Sequence, residues 1–263
     1  ATTGRKAGYF SVDMDAKPVG ALPVLGGASF DIWKPDTGVR KGWADPSIAI
    51  EELQRRRTSG SSKKSSAFYG FDDGWICDES TLPARNYRIA FRGVTNRTNR
   101  RTVIASLVMP DVILENSAGY LLWTEADEHR TAFLLGTLCS TSLDWYARRV
   151  VELSLNFFIL NQLPIPEPTP TDDRYLRTVE ISGRLAAADD RFASWAEAVG
   201  VPVGSVTTQA EKDELIAELD AVVAHLYGLD ADDLEVIWDT FHPTVDHLPS
   251  LDKVLGYHET WAR

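Results

Sequence analysis

Apolar residues alternate with polar ones in short runs through the first two-thirds of the chain, then fall into helical spacing beyond a proline tract. Over residues 29–33, Phe30 and Ile32 share one face, the period of a half-buried strand. Asp45-Pro46 predicts a helix start, a carboxylate cap followed by a proline whose missing N–H costs nothing there. That helix runs through Ile48, Ile50 and Leu53 to Arg55, Arg56 and Arg57, cations that suit the negative end of a helix dipole. Residues 58–66 hold Ser, Gly, Lys and Thr only and read as a loop. A strand pattern returns over 87–92, with Tyr87, Ile89 and Phe91 on one face and Arg88 and Arg92 on the other. A turn over 93–100 leads to a second strand over 102–109, and 119–123 predicts a third. Residues 126–138 read as a helix, while the apolar run 155–160 fits either type.

Pro164, Pro166, Pro168 and Pro170 then stand in alternate positions, a stiff extended connector. Everything beyond it reads as helix. A long helical region over 172–199 is expected, with Gly183 as the point of interruption. Thr208 and Glu211 make a capping box ahead of Leu215, Leu219, Val222, Val223 and Leu226, and Gly228 closes that helix. Asp230 caps the next, whose stripe is Leu234, Ile237, Trp238 and Phe241. The expected fold class is therefore α/β over residues 1–165, followed by a helical region over 172–263. No internal repeat is visible.

Charge changes this picture more than composition does. The 263 residues are 44% hydrophobic, enough for a sizeable core, and carry a net charge of −11. Residues 1–150 hold 20 Lys and Arg against 17 Asp and Glu, whereas 151–263 hold 7 against 21. Within 55–101 the ratio is 11 basic to 4 acidic. A polyanion responds to the local field, so a basic face in the first part with an acidic helical part behind it is compatible with these counts. An ordinary solvated surface is equally compatible. No apolar run approaches the roughly 18 residues of a membrane span. Arg5 and Lys6 have no apolar segment behind them, unlike a signal peptide. The first residue is Ala1 rather than Met, which fits a piece of a longer polypeptide. Cys77 and Cys139 are the only thiols, so free cysteines and a reducing cytoplasm are expected.

Several catalytic constellations are missing from the sequence: a glycine-rich phosphate loop, an Asn-Pro-Pro-aromatic motif, cysteine pairs at zinc spacing and a Gly-x-Ser-x-Gly elbow. His242 and His247 lie five apart with Pro243 between them, unsuited to a helical ligand pair. Glu218 and Asp220 read as the solvated face of an amphipathic helix. These absences predict a binding module without catalytic or metal-ligating residues. Arg92, Arg97, Arg100 and Arg101, by contrast, alternate with Asn96 and Asn99 around the 93–101 turn. Arginine offers paired donors to guanine or phosphate, asparagine matches adenine's edge, and Thr95 and Thr98 could add hydroxyl contacts to phosphate. A polar turn whose asparagines satisfy the nearby backbone is the plainer alternative. Arg55, Arg56, Arg57, Lys63 and Lys64 form a second basic cluster.

The stretch Tyr87-Arg88-Ile89-Ala90-Phe91-Arg92-Gly93-Val94-Thr95-Asn96, with residues 99–105 after it, resembles a signature of large restriction–modification methyltransferases, the type IIG fusion enzymes and their phage-defence relatives. Residues 155–158 and 162–166 are similar to that family's Leu-Asn-Phe-Phe and Gln-Leu-Pro-Ile-Pro element, and 219–229 with 237–241 to the helical element that follows. The segment from Leu22 to Trp33 also fits, so the resemblance spans most of 22–241. Gly93 stands where the family usually has Asp. The resemblance implies a target recognition domain over 1–165 that reads double-stranded DNA, with 172–263 packed on it or on a methyltransferase core in the same polypeptide or a separate subunit. It also implies S-adenosylmethionine as cofactor of the full-length protein, methylation of adenine with or without a fused nuclease, and no cofactor in this chain. Arg55, Arg56, Arg57, Lys63 and Lys64 would then contact phosphates, and Arg88, Arg92, Asn96, Arg97, Asn99, Arg100 and Arg101 would supply the base-reading hairpin. The rival expectation is a protein-interaction module acting through the acidic helical half.

Overall fold

A computed structural model describes residues 10–11, 19–125, 127–241 and 248–262. The fold is α/β followed by helices, as the patterning predicts. Two small sheets form the first part. One has the order β1 (Phe10–Ser11), β3 (Gly42–Ala44), β2 (Leu22–Leu25), β6 (Ile113–Leu114), with β2 antiparallel to β3 and parallel to β6. In the other, β4 (Arg88–Arg92) lies between β5 (Ala105–Val108) and β7 (Ala118–Tyr120), antiparallel to both. The register pairs Ile89 with Leu107 and Phe91 with Gly119. A β-carbon at Gly119 would lie 2.4 Å from the Phe91 ring, so the bare backbone there lets the ring lie across the sheet.

Helices cover that second sheet. Ten α-helices are described: α1 (Pro46–Ser61), α2 (Asp73–Cys77), α3 (Glu128–Cys139), α4 (Thr141–Val150), α5 (Phe157–Leu160), α6 (Asp173–Ala186), α7 (Ala193–Val199), α8 (Gln209–Leu226), α9 (Ala231–Thr240) and α10 (Leu251–Trp261). Ile89, Phe91 and Leu107 of the sheet share one hydrophobic cluster with Leu135, Leu143, Val179, Trp195, Leu219 and Val223. That core joins residues on both sides of the proline connector. A second cluster sits where α8, α9 and α10 meet, around Ala221, Trp238, Phe241 and Val254.

Local signals place most helix ends. Asp45 accepts the Ile48 N–H ahead of Pro46, Thr208 and Glu211 complete their reciprocal box, and Asp230 pairs likewise with Asp233. Gly228 takes φ 70°, the left-handed conformation expected just past a helix. Other expectations fail for identifiable reasons. Residues 29–33 form a turn, not a strand: Asp31 and Lys34 exchange backbone hydrogen bonds and Trp33 takes φ 53°. Pro35, lacking a donor, cannot extend a ladder there. Phe30 and Trp33 are nonetheless buried, while Ile32, expected to share a face with Phe30, is only half-buried. Helix α1 continues four residues past Arg57 into the expected loop. The 172–199 region breaks after Ala186 and leaves Gly183 inside α6, where a β-carbon would meet Val199 at 2.9 Å. Glu218 and Asp220 are not solvated. Glu218 pairs with Arg177, and Asp220 accepts both the N–H and the hydroxyl of Thr141, each at 2.7 Å. Burial pushes the Asp220 carboxyl upward, against the pull of Arg101 and of these bonds. His242, Pro243 and His247 lie outside the described residues, as does Ala126.

Helices α8 and α10 meet at a stacked pair, His225 on His258, with ring centroids 3.8 Å apart and planes 9° from parallel. Each Nε2 faces a backbone oxygen, that of His258 for His225 (2.8 Å) and that of Leu229 for His258 (2.9 Å), so both nitrogens donate. Burial lowers the His225 pKa, against the hydrogen bond to the His258 carbonyl, which raises it, and with smaller lowering contributions from the His258 and Arg174 charges. The unfolded chain binds a proton near pH ~6.5 that folded His225 resists, so its contribution to stability is present above that value and is lost as pH falls below it. The urea midpoint should therefore drop between pH 7.5 and 5.5, and drop less in His225→Gln. Parallel pH profiles for the two proteins would show that His225 is not the group responsible.

Candidate nucleic-acid interface

The connection from β4 to β5, residues 93–104, is a wide loop whose backbone is tied down from inside. Asn96 Oδ1 accepts from the Thr98 N–H (2.9 Å) and the Thr98 hydroxyl (2.7 Å), a local turn. Thr95, fully buried, donates its hydroxyl to the Thr102 carbonyl (2.8 Å) and accepts from Asn99 Nδ2 (3.2 Å). From α4, Arg148 reaches behind the loop and donates to the carbonyls of Arg97 (2.8 Å), Asn99 (2.8 Å) and Arg100 (2.7 Å). Its guanidinium lies over the Phe241 ring and meets Asp144 Oδ2 at 3.2 Å. Asp144, wholly buried, accepts the Thr102 and Val103 N–H groups at 2.8 and 2.7 Å. With its carbonyls turned inward, the loop presents the Arg97 and Arg100 side chains at the surface.

Four arginines expected to touch DNA are instead structural. Arg88 is buried and donates to the carbonyls of Pro83 (2.7 Å), Asn86 (3.1 Å) and Val112 (2.7 Å), with burial depressing its pKa to about 10. Arg92 donates to the carbonyls of Gly27 (2.6 Å) and Phe30 (3.1 Å). Both lie opposite Ile89 and Phe91, as the alternation requires, but that face is covered too. Phe30 packs there against Ala90, Val108 and Ala118. Arg101 is buried and donates to the carbonyls of Cys139 (2.6 Å) and Ser140 (2.7 Å). Arg57 is buried beside Trp75 and donates to Thr81, Gln54 and the Asp78 carbonyl. Each fills a gap where backbone carbonyls would otherwise be orphaned.

The remaining positions are less evenly suited to an anion. Arg55 and Arg56 share Glu52, whose carboxyl they hold down to about 2, so part of their charge is already neutralised. Lys63 and Lys64 are exposed in the turn after α1. Asn96 has committed its oxygen to the turn and cannot grip adenine through both amide atoms without opening it. Thr95 is buried and cannot reach phosphate. Arg100 borders a cleft of about 630 Å³ that Lys34, Lys212 and Lys253 also line. There Lys212 donates to the Trp33 carbonyl at 3.0 Å, and Asp31 stands 3.9 Å from Arg100. Sequence reasoning missed Arg148 and Asp144. The signal available was their i,i+4 spacing within one helix, which marks a pair but not what it holds.

No protein-family model matches the chain, and no curated protein matches it. Among the described residues, no group of three or more His, Cys, Asp or Glu side chains is placed to hold a metal ion, and no helix is long and apolar enough to cross a membrane.

Removing Arg148 takes the guanidinium from three loop carbonyls and one of two guanidinium partners from the buried Asp144. Arg148→Ala should lower unfolding free energy by about 2–4 kcal/mol, the range for charged hydrogen bonds and broken buried pairs. Amide exchange should accelerate over 96–103 before it does in β4. Uniform acceleration across the sheet would mean that Arg148 serves the global fold only.

Proposed function

We propose that this chain recognises duplex DNA through the 93–101 loop, as the sequence-reading module of a restriction–modification or phage-defence methyltransferase, and performs no catalysis itself. The observation that carries the reading is the exposure of Arg97 and Arg100 on a loop whose backbone Arg148 and Asp144 hold in place. Preorganised cations lose little freedom on binding, and an arginine tip can enter a major groove about 12 Å wide. Arg97 and Arg100 are the base readers in this account, with Asn99 beside them. Lys63 and Lys64 contact phosphates and set register. Arg55 and Arg56 contribute less because Glu52 competes for them, and the buried arginines contribute only by shaping the surface. The methyltransferase partner, with S-adenosylmethionine as its cofactor, follows from the resemblance of residues 87–105 and 155–166 to that family.

Enrichment of a randomised duplex pool by the chain, followed by titration over a range of salt, tests this. Arg97→Ala or Arg100→Ala should cost about 1–3 kcal/mol on the enriched sequence and much less on random duplex. Lys63→Ala with Lys64→Ala should weaken both duplexes similarly and flatten the salt slope by roughly 2. Arg88→Ala is expected to reduce folding stability instead. If no duplex binds at low salt while a protein partner does, the acidic helical half is the working surface and the reading fails.

A further inference from the structure

Large apolar side chains stand in solvent right beside the cationic loop. Residues 93–95 run antiparallel to 153–155: Val94 bridges Ser154, and the Leu155 N–H donates to the Gly93 carbonyl at 2.9 Å. The loop's own first turn is thereby fastened to the segment that opens α5. Val94, Leu153 and Phe158 are 69%, 78% and 76% exposed. Phe157 is half-exposed and meets Phe91 edge-on, with ring centroids 5.3 Å apart. Anchored through Phe91 to the middle strand, α5 holds Phe158 outward. The ring of Phe158 has no aromatic partner among the described residues. Large apolar side chains left in solvent this close together in the chain are unfavourable, and such exposure marks an interaction site.

Charge around the patch selects the partner. An apolar groove of about 720 Å³ runs from Phe157, Leu160 and Asn161 to residues 65–67, immediately after Lys63 and Lys64. The segment 153–161 is thus joined on one side to the groove that residues 65–67 line, two residues on from Lys63, and on the other to the start of the loop that carries Arg97 and Arg100. In a chain with 38 acidic residues, none falls within 59–71, 93–101 or 153–166. Amides of Asn99, Asn156 and Asn161 supply uncharged polar contacts in the same segments. Aromatic faces and apolar edges in segments that carry arginine and lysine but no acidic residue, with Asp31 3.9 Å from Arg100 and Glu152 just before Leu153 at their margins, match the base faces and phosphates of a nucleic acid. A protein surface rich in acidic groups would satisfy the cations but not the aromatic pair.

We infer that Phe158, held outward on the short helix that Phe157 anchors to Phe91, presses between bases of the bound duplex and unstacks one step, a wedge acting with the arginines that read the neighbouring groove. This rests on the reading of the 93–101 loop as a DNA contact and adds a deformation to it. A wedge makes the site sensitive to how easily a step opens, so it supplies preference at positions no side chain reads directly, with pyrimidine–purine steps favoured.

The probe is the duplex enriched by the wild-type chain, with 2-aminopurine placed at successive positions. Fluorescence should rise at one step on binding, and the rise should vanish in Phe158→Ala. The same variant should bind about tenfold more weakly, as loss of one base–aromatic contact implies, while Phe158→Trp keeps both properties. Val236→Ala, which removes an exposed apolar group on α9, should change neither. Phe158 is so exposed that its removal leaves the fold intact, checked by circular dichroism. Enrichment with no fluorescence rise at any position, or with a rise that survives Phe158→Ala, overturns the wedge and leaves the loop reading standing. Failure to enrich or bind any duplex overturns both.

Discussion

One buried carboxylate organises the junction between the sheet and the helices. Asp144 has no exposed surface, yet it accepts two backbone N–H groups from the end of the 93–104 loop and faces both Arg101 and Arg148. A charge so placed is tolerable only with its partners complete, because desolvation alone costs several kcal/mol. The partners lie on the loop and on α4 itself, so satisfying Asp144 sets the distance between these two elements. Arg148 transmits that constraint to three loop carbonyls, and Arg101 carries it to the carbonyls that end α3. Asp220 repeats the device one layer further out, where it caps the first turn of α4. The path from α8 through α4 to the loop is therefore polar, and it runs inside an otherwise apolar core.

The buried arginines follow from the same economy of polar groups. A sheet of three strands leaves many carbonyls at its edges and in the connections around it, and each must find a donor. Arg88, Arg92 and Arg101 each place two or more N–H groups on such carbonyls, which a planar fork does with little side-chain rearrangement. They leave the surface for that reason, and the cationic face shrinks to fewer residues than a count along the chain implies. What remains exposed is two arginines on a fixed loop, two lysines in a turn, and Arg55 and Arg56 shared with Glu52.

Much of this architecture could be read before folding was considered. Asp45-Pro46, Thr208 with Glu211, Asp230 and Gly228 act within one helical turn, so their effect does not depend on distant residues, and the helices start and stop where those residues stand. The strand at 88–92 and the helical half after the prolines were likewise legible, because periodic burial is imposed by the geometry of each element. Alternation also separated Ile89 and Phe91 from Arg88 and Arg92, and did so correctly.

Whether the second of those faces met water was not a local property. It depended on Phe30 and the turn around Trp33, some sixty residues away, closing over the sheet, and a sequence pattern with period two cannot report that. Asp220 has the spacing of a solvated helix position and is buried because Thr141 comes to it from another helix. The partnership of Arg148 with the loop is of the same kind: both members are plain in the sequence, and only packing brings a helix end beneath a turn some fifty residues distant. Periodicity and capping thus settle the elements, because their causes lie within a few residues, while the use of each charge was decided by long-range contacts that bring donors and carbonyls together in the folded chain.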